Sequence, residues 1–331
     1  MNAEWSRRLN AGYHAATGVK RAVRLPSEAS FVVNGDDAAA HMHLSLSAVC
    51  GNMQSNAGAF ESWSLALHRW CGATVSLTWD PPGEAANPHF ERFLYRLKQF
   101  HALFGNDWFS LSDPAAAFAQ SKVERNRGKL WLNVGGDKPK TQKERPIDVK
   151  AWTEDHWECH LTDAAVDHLE RTFGFGSGCK DQQFPVGLFS SNPPSAGSAI
   201  FPGAKSAIDI VAVDGQKLWI FELKKSGNVG FGALSELMFY TSVMRDAATG
   251  AFAFAESKCG VSRSTNVTPG KIRAVTEISS VLLTPDLHPL IDEQVLALLN
   301  SAYERRLTSD GPKVIFSSHR FTDDWAAGAS K

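Results

Sequence analysis

Residues 206–225 read Ser206-Ala-Ile-Asp209-Ile-Val-Ala-Val-Asp214-Gly215-Gln-Lys-Leu-Trp-Ile-Phe-Glu222-Leu223-Lys224-Lys225. The runs Ser206–Val213 and Lys217–Lys224 have the length and the apolar, β-branched and aromatic content of two strands. Asp214-Gly215 between them is a strong hairpin signal. Asp209 interrupts the first run, and Glu222 and Lys224 close the second. A buried charge is costly unless something pairs with it, and two carboxylates held together raise one another's pKa. A divalent cation removes both objections, so the pattern points to acids that hold a metal.

Strand geometry says when these side chains meet. If Asp214-Gly215 is a two-residue turn, Val213 faces Gln216 and Asp209 faces Ile220. Glu222 then lies two residues along on the same face, a diagonal of about 7–8 Å between backbone positions. Lys224 shares the parity of Glu222, and Lys225 has the opposite one. A three-residue turn would separate Asp209 from Glu222 unless a bulge restored the parity.

The flanking sequence continues the α/β pattern. On the N-terminal side, Thr162 or Asp163 can cap a helix running to about Phe173, with Gly174 ending it, and Gln183–Phe189 reads as a short strand. Ser190–Lys205, rich in Pro, Gly and Ser, is a loop. On the C-terminal side follow a helix over Gly232–Arg245, a strand at Glu277–Leu283 and a helix over Asp292–Arg305. Helix, three strands, helix and strand make an α/β domain with a mixed sheet covered by helices.

The Asp209, Glu222-Leu-Lys224 arrangement resembles the active-site motif of the PD-(D/E)xK nuclease superfamily. The resemblance covers about residues 163–299 and implies a restriction-endonuclease-like core, in the order α-β-β-β-α-β, with a mixed central sheet flanked by helices. Ile208 stands where the proline of the motif's name would be. Glu236 and Tyr240 occupy positions similar to the Q-x-x-x-Y of exonuclease-type members, with Glu replacing Gln. Glu170 is similar to the acid that some members supply from their first core helix.

The resemblance implies metal-dependent hydrolysis of phosphodiester bonds. Asp209, Glu222 and the Leu223 carbonyl would ligate Mg2+, with Mn2+ as a substitute. Lys224 would orient or help deprotonate the attacking water and stabilise charge on the phosphate. Glu170 would serve a second metal or a metal-bound water. Lys225, at the opposite parity, would touch the substrate backbone or solvent, and Tyr240 would contact a phosphate or buttress Lys224. Duplex DNA is the expected substrate, RNA or branched DNA being alternatives, and similar enzymes pair as homodimers to cut both strands. Class analogy suggests restriction or anti-phage defence, with a defence partner protein. The competing class is a catalytically inactive nuclease-fold subunit that binds nucleic acid or joins a defence complex.

The remainder of the chain sets the frame. Its 331 residues suggest about two domains, and the Gly/Lys/Pro-rich stretch Gly135–Pro146 suggests a boundary. An N-terminal α/β region over 1–150 would supply specificity or partner contacts, and 151–331 would be the nuclease-like domain. Within 1–150, Gly58–Cys71 and Pro88–Phe104 carry helical stripes and Thr74–Trp79 alternates as a strand. The aromatics of Pro88–Phe104 keep the helical period, which favours a core over base stacking.

Formal net charge is −1, yet Ser121–Lys150 holds nine Lys/Arg against four acids. That asymmetry suits a polyanion or simply a solvated loop. Arg125, Arg127, Lys138 and Lys140 are its candidate DNA contacts. Five cysteines without a CxxC fit reduced cytosolic thiols. With no apolar run near the roughly 20 residues that span a bilayer and no secretory signal, the expectation is a cytoplasmic protein away from membranes. His156 and His160 are spaced for zinc on a helix, but Glu158 is misplaced for HExxH.

Overall fold

A computed structural model describes residues 1–83, 87–133, 145–202, 206–227, 230–255, 266–307 and 311–326. Lys138 and Lys140 lie outside the described residues. In chain order the elements begin with α1 (Asn2–Thr17), β1 (Phe31–Gly35), β2 (Ala39–Leu44), α2 (Leu46–Val49), α3 (Phe60–Cys71), β3 (Thr74–Trp79), α4 (Pro88–Phe104), β4 (Phe109–Leu111), α5 (Pro114–Ala119) and α6 (Lys122–Arg125). They continue with β5 (Trp131–Leu132), α7 (Glu154–Leu161), α8 (His168–Phe173), β6 (Lys180–Pro185), β7 (Leu188–Phe189), β8 (Ala207–Asp214) and β9 (Lys217–Leu223). Then come α9 (Gly232–Ala248), β10 (Ala253–Phe254), α10 (Pro269–Arg273), β11 (Glu277–Leu283), α11 (Glu293–Leu307) and β12 (Lys313–His319). The class is α/β, with mixed sheets accompanied by helices. No helix among the described residues is long and apolar enough to cross a membrane.

The chain forms two compact units. The first holds Met1–Arg125, Gly230–Glu236 and His288–Leu307; the second holds Asn126–Val229, Leu237–Leu287 and Thr308–Lys331. The sequence pattern places one boundary at residue 150, whereas these units are discontinuous. One reason is α11, which packs on α3 and α4. The sequence reading joins it to the nuclease-like domain instead. Local periodicity marks α11 as a helix but does not say which partner its apolar side will find.

In the first unit the sheet order is β1-β2-β3-β4, antiparallel between β1 and β2 and parallel thereafter. Helix α1 lies so close to α3 that a Cβ at Gly12 would stand 1.7 Å from the Trp70 carbonyl oxygen. Only glycine fits there. Helix α4 begins with Asn87 capping the N–H groups of His89 and Phe90, and with Pro88 in its first turn. Its stripe of Phe90, Phe93, Leu94, Leu97, Phe100 and Phe104 is buried, and Phe100 meets Phe60 and Phe109 edge-to-face. The aromatics here are core, each large apolar side chain contributing about 1.5–3 kcal/mol by burial.

The charged side of α4 differs from the sequence pattern. Glu91, Arg92 and Arg96, which alternate with the stripe as a solvated rim would, are buried. Arg96 donates through Nε to Glu61 Oε1 at 2.8 Å, through Nη2 to Glu61 Oε2, and through Nη2 to the Gly58 carbonyl at 2.9 Å. Glu91 accepts the N–H of Lys122 at 2.8 Å, and burial pushes its carboxyl above the ordinary range.

His288 lies against the Phe231 ring at 4.4 Å, and its Nδ1 accepts the Leu290 N–H at 3.2 Å. Burial pushes its pKa down to about 4. A folded-state pKa below the unfolded one means that the unfolded chain takes up the proton first as pH falls. Stability from this group is complete above pH ~6.5 and is lost between there and pH ~4. Urea unfolding of the first unit should weaken across that window by about 2–3 kcal/mol, and His288→Phe should flatten the slope.

In the second unit the large sheet has the order β12-β11-β9-β8-β6. β6, β8 and β9 run antiparallel to their neighbours in turn, and β9, β11 and β12 are parallel. One face, carrying Ile210, Ala212, Trp219, Phe221 and Leu223, forms a core with Trp157 of α7 and Leu169 of α8. The other face meets α9, where the hydroxyls of Thr241 and Ser280 are 2.6 Å apart. β10, β5 and β7 form a separate small sheet. The stretch Gln183–Phe189, which reads as one strand, is therefore the end of β6 in one sheet and β7 in another.

Candidate active site

The β8–β9 hairpin sets the site. Its turn is Gly215-Gln216, with Asp214 paired to Lys217. Gly215 has φ +56, and Gln216 is not among the positive-φ residues, as a type II′ turn requires. The expected turn was one residue earlier, which moves the pairing by two positions and keeps the parity. Ile210 pairs with Phe221, so continuing the register sets Asp209 directly opposite Glu222 instead of diagonal to it.

The contacts agree with that register. Asp209 Oδ2 accepts the Leu223 N–H at 2.9 Å. Lys224 Nζ donates to Glu222 Oε1 at 2.5 Å, and the Lys224 N–H bonds to the Leu283 carbonyl at 3.0 Å. The Glu222 side chain is 1 % exposed and that of Lys224 13 %. This is a largely buried ion pair with Asp209, half-buried, across from it. Glu222 and Lys224 stand at the carboxyl end of β9, beside the carboxyl ends of the parallel β11 and β12, where open α/β sheets commonly bind ligands.

Glu170 does not join this group. Its carboxylate pairs with Lys180 Nζ at 2.8 Å, and Lys180 also donates to the Val166 carbonyl at 2.6 Å. Lys180 is paired with Ala212, so it shares the face covered by α7 and α8. Asp209, Glu222 and Lys224 have the opposite parity and belong to the α9 face. The separation follows from the pleat, which sends alternate side chains to opposite sides of one sheet. The helix expected from about residue 163 is also shorter, beginning at His168.

The other expected contacts are scattered. Tyr240 is buried on α9, which suits packing better than contact with a phosphate. Glu236 is buried in the first unit and accepts Gln54 Nε2 at 2.6 Å. Lys225 is half-buried. Arg125 is exposed and donates to the Gln120 carbonyl at 3.2 Å; Arg127 is exposed with Asp246 at 3.9 Å. His160 is held between Arg145 and the Trp325 carbonyl, and His156 accepts the Thr153 N–H. Both histidines are thus engaged in local structure.

Sequence reasoning missed Gln183. It stands opposite Asp209 on β6, at the one position where the β6–β8 ladder skips a pair. Its φ is +51, and its side chain donates to Glu158 Oε2 of α7 at 2.6 Å. A left-handed non-glycine residue costs about 1–3 kcal/mol, and nothing in the local pattern announces it. Gln183→Val, with a β-branched residue at that φ and no donor for Glu158, should lower stability by at least about 2 kcal/mol, read as a fall in the urea midpoint.

Two carboxylates and the Leu223 carbonyl offer only hard oxygen donors. That set fits Mg2+, which often takes one or two carboxylates and keeps several waters. Among the described residues no group of three His, Cys, Asp or Glu could hold a metal ion. Compared with protein-family models, curated proteins and solved structures, the chain matches none.

Proposed function

We propose that the chain is a Mg2+-dependent deoxyribonuclease of the PD-(D/E)xK type, and that the second unit carries the chemistry. The observation that carries this is the convergence of Asp209, Glu222 and Lys224 on one face of a hairpin, with Asp209 tied to the Glu222 strand through Leu223. The series α8, β6, β8, β9, α9, β11, with β7 set aside in the small sheet, supports it, because it follows the order of elements that the resemblance implies. So does the cost of the trio. A buried ion pair is rarely the most stable filling for a core position, which makes a functional reason for keeping it more attractive.

Asp209, Glu222 and the Leu223 carbonyl would hold the ion. When bound, it polarises a phosphoryl oxygen and lowers the pKa of a water. The Leu223 N–H fixes Asp209, and Glu222 holds the Lys224 ammonium in place. From there Lys224 donates to a non-bridging phosphate oxygen as negative charge builds on it, an interaction strongest where water is excluded. Glu170 has no part, since Lys180 engages it on the other face.

A second reading, a nucleic-acid-binding unit without catalysis, is favoured by the same contacts, since Asp209 already accepts the Leu223 N–H and Glu222 already pairs with Lys224. Supercoiled plasmid separates the two. The nuclease should relax or linearise it with Mg2+ or Mn2+ and stop when EDTA is added. Salt-dependent binding with no cleavage under either metal would leave the second reading.

A further inference from the structure

A cleft of about 560 Å³ in the first unit lies between α1 and the segment that follows it, with Arg7, Arg21 and Arg24 in its lining. Past Gly18 the chain turns back along α1, pinned by three side chains at helical spacing. Asn10 exchanges two hydrogen bonds with the Val23 backbone, Ser6 Oγ accepts the Leu25 N–H, and Asn2 Nδ2 donates to the Pro26 carbonyl. The strap is therefore built into the fold, and its two arginines are held across from Arg7 of the helix.

Among the described residues, none of these three guanidiniums has a hydrogen bond or an ion pair, and all three are exposed. Met1–Pro26 holds five Lys/Arg and one acid, Glu4, which Arg8 occupies at 2.7 Å. Three like charges around a concavity repel one another, and a polyanion relieves that. Arginine matches phosphate oxygens with paired N–H donors. The polar atoms of Asn2, Ser6 and Asn10 in the floor are engaged in holding the strap. Few remain to orient a small ligand, which specific pockets require. Cations on the rim with little to read a base are the signature of sequence-independent backbone contact.

We infer that Arg7, Arg21 and Arg24 bind the phosphodiester backbone of DNA. The choice of polyanion rests on the nuclease reading, although the cleft belongs to the other unit. The test is anisotropy of a labelled duplex with the full chain in EDTA, titrated with salt. Changing all three arginines to Ala should weaken binding at least about tenfold at low salt and reduce the log–log salt slope by roughly 2–3. The corresponding triple Lys variant, which keeps the charge but loses the paired donors, should bind more tightly than the Ala variant and keep the wild-type salt slope.

Binding by the Ala variant equal to wild type overturns the inference, as does absence of DNA binding by wild type. Competition by ATP at the same phosphate concentration as oligonucleotide also overturns it, in favour of a nucleotide pocket. Cleavage is read separately with Mg2+. Binding that needs the arginines, without cleavage, defeats only the nuclease reading; cleavage with unaltered binding by the Ala variant defeats only this one.

Discussion

Asp209→Asn should reduce Mg2+-dependent plasmid cleavage roughly 10²–10⁴-fold, the range expected for loss of a group that acts on the reacting atoms. The substitution is nearly isosteric, and its amide oxygen can still accept the Leu223 N–H, so the hairpin contact survives while the charge does not. The urea midpoint should barely move. Lys224→Ala should lose as much activity but also some stability, because it strips the partner from a carboxylate that is 1 % exposed. Steady-state cleavage rates beside circular dichroism of each variant would check both. Cleavage by Asp209→Asn at the wild-type rate, or by Lys224→Ala at that rate with its fold intact, would remove this trio from the mechanism.

The largest stability effect is expected at the other end of the molecule's chemistry, in the Arg96–Glu61 pair. Its side chains are 4 % and 2 % exposed. Arg96→Ala would leave the Glu61 charge buried without its bidentate partner and deprive the Gly58 carbonyl of its donor. Breaking such a pair from one side costs about 3–5 kcal/mol. Urea unfolding of the first unit should show it directly. The double change Arg96→Met, Glu61→Leu should recover much of the loss, because two apolar side chains avoid the desolvation that both ions suffer. A single variant within about 1 kcal/mol of wild type would mean that water reaches the pair in solution.

Much was legible along the chain. The helical period of Pro88–Phe104, the alternation in Thr74–Trp79 and the short apolar run of Glu277–Leu283 gave these elements to the residue. The hairpin was legible with its turn misplaced. Asp-Gly suggests a type I′ turn with glycine second, and here glycine is first, but an even shift leaves every side chain on its face. β12 was missed, since KVIFSSH is apolar for only half its length.

Asp209, Glu222 and Lys224 share a face because they lie on one hairpin; the sequence determined the two-residue repeat that sets their orientation, and the structure supplied the two-residue turn on which it depends. Glu170 lies across the sheet, Arg96 is inside rather than at the rim, α11 belongs to the first unit, and Gln183 is forced into a left-handed conformation opposite Asp209. Only the tertiary structure decided these. Each depends on which distant surface covers a given face, and packing between remote segments carries no fixed spacing that a linear pattern could reveal.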